Sequence, residues 1–323
     1  MVCAVKWWWG IVAAFTLLGL LRIVAPLPFV TEVVLFSIYT IGCNFLLGRV
    51  GFISFGQPAY LAVGAYAAAF YLYYFGTNPY VAIALGIAAG LAASMIVGPL
   101  FVRLRSDYFA LVNLALTVIV FYLMQKVLAP ITKGDNGLWF LSNIAATPVL
   151  DISRPDQFFI FALLVGVGVW AFYKYLDGTI FGACCLATKT NEDKLQFLGY
   201  SNFSIRLLAF VIANTTTALA GAMYGVYLGL VSPEIASPAR AADPVIVTIL
   251  GGVGTLYGPI VGALAYTGMK DVISKFIGNW ELFIGFLLVV IMLAGEKGIW
   301  GTLAPRLQRA LKWRGPARGA GDR

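Results

Sequence analysis

The 323-residue chain contains no histidine. Without imidazole there can be no Ser-His-Asp triad, no histidine metal ligand and no histidine proton relay, and no metal site is expected. Charge is scarce as well. Asp, Glu, Lys and Arg make up 11% of the chain, against about 25% in a soluble domain. Hydrophobic residues reach 61%, where soluble domains carry about 45–50%, so a water-soluble enzyme and a disordered chain are both excluded. No Gly-Lys dipeptide occurs, which removes the phosphate-cradling GxxxxGK[ST] loop of an ATPase. The four cysteines, Cys3, Cys43, Cys184 and Cys185, form no CxxC pair. They are expected at or near the cytoplasmic side, reduced, acting as small apolar residues.

What the chain has instead is long apolar runs. Each helical crossing takes about 20 residues, so the length allows at most about nine or ten. Spans are expected at residues 7–21, 30–47, 58–74, 79–102, 108–128, 157–175, 205–230, 244–250 with its glycine-rich continuation, 259–273 and 281–294. The expected fold is all-α, a polytopic membrane helical bundle of about eight to ten spans. Trp7-Trp8-Trp9 after Lys6 reads as an aromatic belt, and no small-x-small cleavage site follows before Pro26, so the first run reads as an uncleaved span.

Basic residues orient the bundle. With the N-terminus in the cytoplasm, 15 of the 22 Lys and Arg residues fall on that side, seven of them in a tail at 297–323. This asymmetry predicts that both termini are cytoplasmic. The tail is expected to lie on anionic membrane lipid, and no nucleic-acid partner is expected despite the net charge of +8. Residues 1–296 read as one transmembrane domain, with an external loop at 131–156 and an internal one at 176–205. Inside the latter, Thr190-Asn191-Glu192-Asp193 is expected to form a capping box in which Thr190 binds the Asp193 amide. Leu195, Phe197 and Leu198 give that short helix an apolar side, and Gly199 ends it.

Small residues recur at helical spacing: Gly221, Gly225 and Gly229; Gly86 and Gly90; Gly258 and Gly262. In lipid, helices associate through close backbone approach, so these positions are expected to pack. Two glycine-rich stretches, 48–58 and 251–259, each end in a proline that suits the first turn of a helix. Unwound backbone at membrane depth is tolerated only where protein buries it or where it lines an aqueous cavity. A matched pair points to broken helices, inverted repeats and a translocation path; interfacial loops are the other reading of the pair. Candidates for lining that path are Asn44, Ser54, Gln57, Asn113, Asn214, Thr217 and Thr248, with Thr215 and Thr216 beside them. The simpler reading of each is a hydrogen bond between helices or to the preceding turn. The spans hold almost no carboxylates, which disfavours an ion-coupled secondary carrier, the alternative from a different class.

Taken in order, several stretches resemble one family. Residues 51–60 (GFISFGQPAY) with Gly64-Ala65-Tyr66, Leu104-Arg105-Ser106-Asp107-Tyr108-Phe109-Ala110, and Thr132-Lys133-Gly134-Asp135-Asn136-Gly137-Leu138 come first. Leu198-Gly199-Tyr200, Leu208-Ala209-Phe210, Ala220-Gly221-Ala222-Met223-Tyr224, Ser232-Pro233-Glu234 and residues 251–262 follow. Together they resemble the permease subunits of ABC importers of the branched-chain amino acid type, specifically the M-type partner. The resemblance implies a second related permease, two cytoplasmic ATPases that bind the ATP, and a periplasmic solute-binding protein. It implies a bacterial inner-membrane location and no enzymatic activity or cofactor of the chain's own. It makes the internal loop an ATPase-coupling segment, with Asn191, Glu192, Asp193, Lys194 and Gly199 as its residues. Family arginines are replaced in this chain at 182–188 (GACCLAT). The implied cargo is branched-chain or other hydrophobic amino acids, with urea, short amides and aromatic or carboxylic acids as alternatives.

Overall fold

The computed structural model describes residues 26–104, 106–146, 151–275 and 298–301, with Leu282, Gly285 and Phe286. The expected span at 7–21, nearly all of the one at 281–294 and nearly all of the basic tail lie outside the described residues. Ten helices of six or more residues organise the described chain. They are α1 (Leu27–Phe45, continued by a wide turn Leu46–Val50), α2 (Gln57–Phe70, continued by Tyr71–Phe75), α3 (Pro79–Phe101), α4 (Ser106–Tyr122, continued by Leu123–Val127) and α5 (Pro155–Asp177). Then come α6 (Ile180–Thr190), α7 (Glu192–Phe197), α8 (Asn202–Leu228), α9 (Asp243–Gly251) and α10 (Gly258–Ile273). Among the described residues, five helices are long and apolar enough to cross a membrane: Leu27–Val50, Pro79–Phe101, Asp107–Val127, Pro155–Asp177 and Asn202–Leu228.

Local chemistry sets the helix ends. Pro28, Pro58, Pro79, Pro155, Pro244 and Pro259 occupy first turns, where the missing amide costs nothing. Asn78 Oδ1 accepts from the Tyr80 amide at 3.0 Å and so starts α3. Gly229, with φ +65°, closes α8 in the left-handed conformation that glycine adopts without strain. It thus caps the helix rather than extending the Gly221–Gly225 packing face. The loop after α4 is tied to this exit by a two-residue antiparallel pairing, Leu138 with Val231 and Trp139 with Leu230.

Two expectations for the internal segment are corrected. Residues 176–205 are mostly helical, because α5 runs to Asp177 and α6 follows after a two-residue link. Thr190 does not cap α7. It sits in the last turn of α6, where its hydroxyl donates to the carbonyls of Leu186 (3.1 Å) and Ala187 (3.3 Å). A threonine already inside a helix satisfies its hydroxyl on the preceding turn. Gly199 does end α7, at φ +83°, with the Tyr200 amide donating back to Leu195.

The bundle is held by close backbone contact. α1 and α8 cross antiparallel at Gly42, where a Cβ would lie 2.5 Å from the Ala213 carbonyl oxygen. On α2 against α8, a Cβ at Gly64 would overlap the Ala218 carbonyl and one at Gly221 the Leu61 carbonyl. Gly86 and Gly90 bring α3 onto Ala222 and Ala218 of α8. Gly258 and Gly262 do the same between α9 and α10. Dispersion between apposed backbones is the attraction lipid cannot supply equally.

These contacts follow the pattern of an inverted repeat. α1, α2 and α3 correspond to α8, α9 and α10 with every direction reversed. Thus α2 and α3 both pack on α8 as α9 and α10 both pack on α1, and α2 pairs antiparallel with α3 as α9 does with α10. The partnership of the glycine-rich stretches is corrected, however. Residues 48–58 and 251–259 lie at the same end of the bundle, where Gly48 touches Gly254 backbone to backbone. An inverted pair would lie at opposite ends. The counterpart of the unwound residues 51–56, which lead into α2, is the segment 232–242, which leads into α9. That segment winds through two short turns, Pro233–Ala236 and Pro238–Ala242, packed on α2 and α4. The nine residues of α9 rise only about 13 Å, so 232–242 covers the other half of that crossing.

Candidate translocation and coupling sites

At the end of the bundle that carries α6 and α7, four elements converge. Asn44 on α1 pins the 252–257 loop by donating Nδ2–H to the Thr255 carbonyl (2.9 Å) and accepting the Gly254 amide on Oδ1 (2.8 Å). Trp170 on α5 donates Nε1–H to the Leu256 carbonyl at 2.8 Å. Arg49 and Asp177 form a part-buried ion pair at 2.7 Å, and Lys189 donates to the Gly48 carbonyl at 3.3 Å. Cys184 and Cys185 are buried in the same junction, and burial pushes the Cys185 thiol up to about 12. A thiol so protonated is unreactive.

From this junction hangs α7. Glu192 pairs with Arg206 at the start of α8, and Asn202 Nδ2 donates to the Glu192 carbonyl at 3.3 Å. The Arg206 guanidinium also lies 5.0 Å from the centre of the Phe52 ring, in the first unwound segment. Of the expected apolar side, Leu195 is buried, whereas Phe197 is 91% and Leu198 74% exposed. Asn191, Glu192 and Asp193 are exposed around them. Two large apolar side chains are thus exposed among polar and charged neighbours.

Five of the seven expected pathway residues come together where residues 51–56 meet α2. Gln57 donates Nε2–H to Asn214 Oδ1 at 3.3 Å, and Thr217 donates its hydroxyl to Gln57 Oε1. Thr117 donates to the Phe55 carbonyl at 3.0 Å, and Asn113 donates to the Phe109 carbonyl at 2.8 Å beside Gly56. Ser54, Gln57, Asn113, Asn214 and Thr217 are all fully buried. Among the described residues, Ser54 Oγ, Asn113 Oδ1 and Asn214 Nδ2 have no partner. Asn44 stands apart on its loop, and Thr248 spends its hydroxyl on the Pro244 carbonyl at 2.7 Å.

None of these seven lines the charged cavity that opens at the opposite end. That cavity holds about 240 Å³ between α1, α2, α8, α10 and the 232–242 segment. Glu32, Glu234, Arg240, Asp243 and Lys270 all face it, with Tyr39, Tyr224 and Tyr266. Lys270 pairs with Glu32 at 3.3 Å and Arg240 with Glu234 at 3.8 Å. Sequence reasoning missed these residues because 232–242, rich in proline and serine, reads as an external loop. The signal was available in length. The helix after it is too short to cross, so the segment before it must reach inward.

The chain matches the family described as "branched-chain amino acid transport system / permease component" over residues 26–293. It is 26% identical to the high-affinity branched-chain amino acid transport system permease protein LivM of Salmonella typhimurium, over 90% of this chain and 76% of that protein. It is also 26% identical to LivM of Escherichia coli, over 86% and 70%. The permease protein LivH of Salmonella typhimurium is 21% identical over 82% of this chain and 91% of its own length. No solved structure matches.

Proposed function

This chain belongs to the family of branched-chain amino acid transport permeases, the membrane subunits of ABC importers, and we propose that it forms one half of a two-permease gate for branched-chain or other hydrophobic amino acids. In this reading a LivH-like subunit supplies the other half, a periplasmic binding protein delivers the solute, and two separate cytoplasmic ATPases supply the work. The chain spans the bacterial inner membrane with α7 and both termini in the cytoplasm.

The observation that carries the reading is the α7 tip. Phe197 and Leu198 project from a six-residue helix whose Glu192 grips Arg206 on α8. A short helix wedged into a groove of an ATPase transmits a rigid-body shift only if it is tied to the helices it must move. Here the tie runs from Glu192 through Arg206 to Phe52, hence to the segment leading into α2. Asn191, Asp193, Lys194 and Gly199 complete the proposed coupling segment.

Reconstitution tests this. The full complex in proteoliposomes is expected to take up leucine only with ATP and binding protein present, and the chain alone is expected to take up none under any ion gradient. Phe197→Ser is expected to lower solute-stimulated ATP hydrolysis about tenfold, the scale of one buried apolar anchor. Ion-driven uptake by the isolated chain would sink the importer reading. Unchanged coupling in Phe197→Ser, with Gly199→Val equally silent, would remove the tip from it.

A further inference from the structure

The charged cavity has no role in what precedes, yet it departs from the apolar character of the spans. Drug-sized ligands fill pockets of about 300–1,000 Å³, and 240 Å³ suits something smaller. Its charges are of both signs and close together: three carboxylates, on Glu32, Glu234 and Asp243, with the cations of Arg240 and Lys270. Its remaining wall is apolar, built by Leu35, Phe36, Leu61 and Ile246, with Phe36 stacked on Tyr266 at a ring separation of 5.3 Å.

We propose that this cavity is a transit subsite for zwitterions, specifically for an α-amino acid with an apolar side chain. The α-carboxylate faces Arg240 and Lys270, the α-ammonium faces Glu234 and Asp243, and the side chain lies against Leu35, Phe36 and Ile246. This deepens the importer reading and rests on it. The ion pairs already in place are what make the subsite workable. Both are partly exposed, at 3.3 and 3.8 Å, and pairs of that kind contribute little. A zwitterion, net neutral, can therefore exchange partners with both pairs and leave the charge balance of the cavity as it was. A ligand with one charge gains only one of the two contacts. Because the ligand trades existing pairs, binding is weak, which a conduit needs if it is to release what it receives.

Position supports the assignment. Asp243 is the first residue of α9, at the inner end of the 232–242 segment, and it faces the same space as Tyr39, halfway along α1. Glu32 and Lys270 sit nearer the outer ends of α1 and α10. The charges thus run from the mouth to the middle of the bundle, where the half-helix begins. Unwound backbone placed at such a depth is the usual location of a substrate site in repeat-built transporters.

Ligand-observed NMR on the purified complex, with its ATPases and without binding protein, provides the test. Three probes of similar shape are compared: leucine, 4-methylpentanoate, which lacks the ammonium, and isoamylamine, which lacks the carboxylate. Leucine is expected to bind in the millimolar range, and each analogue roughly tenfold more weakly, the size of one lost charge-assisted hydrogen bond. Arg240→Gln with Lys270→Gln is expected to erase the preference for leucine over isoamylamine. The wild-type comparison needs no variant, so it holds even if the substituted complex fails to assemble. Equal binding of all three probes, or an unchanged preference in the assembled double variant, would overturn the subsite. ATP-driven leucine uptake by the same wild-type complex separates the two readings. Its absence removes the importer assignment and the subsite with it, whereas normal uptake with no zwitterion preference removes the subsite alone.

Discussion

Residues 51–56 and 232–242 solve one problem in two ways. Each carries unwound backbone to the middle of the bundle and hands over to a helix, α2 at Gln57 or α9 at Asp243. Each leans on α4, through Thr117 and Asn113 in the first case and through the turns at 233–242 in the second. The first ends in a sealed cluster, where Gln57, Asn214 and Thr217 are fully buried on one another. The second ends in an open cavity lined by charges. Repeat symmetry therefore supplies the backbone pattern, and side chains decide which copy is a strut and which is a vestibule. A buried neutral amide cluster stiffens its surroundings, because each group lost leaves its partner unmatched. A solvated set of weak ion pairs can be rearranged at little cost.

The contrast predicts opposite responses in stability and transport. Gly221→Ala attacks the framework shared by both segments, since its Cβ would overlap the Leu61 carbonyl across α2 and α8. A loss of about 3 kcal/mol is expected, at the upper end for overpacking, read as a lowered melting temperature of the detergent-purified complex. Gln57→Leu breaks the sealed segment alone. It strands Asn214 Oδ1 in an apolar interior and leaves Thr217 only the Ala213 carbonyl, and the expected cost is about 2 kcal/mol, with transport lost only in proportion to folded protein. Asp243→Asn touches the open segment. Its stability is expected to stay within about 0.5 kcal/mol of the wild type, while leucine uptake falls. Should Gln57→Leu spare stability, or Asp243→Asn reduce it as much as Gln57→Leu, the division between strut and vestibule would be wrong.

Much of this was legible in residue order. The apolar runs locate α1, α3, α4, α5 and α8 within a few residues, and Pro58 and Pro259 mark the starts of α2 and α10. Gly86, Gly221 and Gly262 lie where helical spacing puts them, at backbone contacts. The capping box at Thr190 failed for a local reason, since a motif of four residues does not say whether the preceding helix has already ended. The cavity failed for a longer-range one. Glu234, Arg240 and Asp243 look like loop charges until α2 and α4 are seen to bury the backbone that carries them.

Composition alone made this a membrane bundle without histidine chemistry, because hydrophobicity sums over residues and needs no partner. The motifs in chain order were enough to place it among the permeases. Which glycine-rich stretch answers which, and how deep 232–242 descends, belonged to the tertiary structure. Polar backbone can enter an apolar layer only where neighbouring helices satisfy and cover it. Those neighbours, α2 and α4, are more than 100 residues away along the chain.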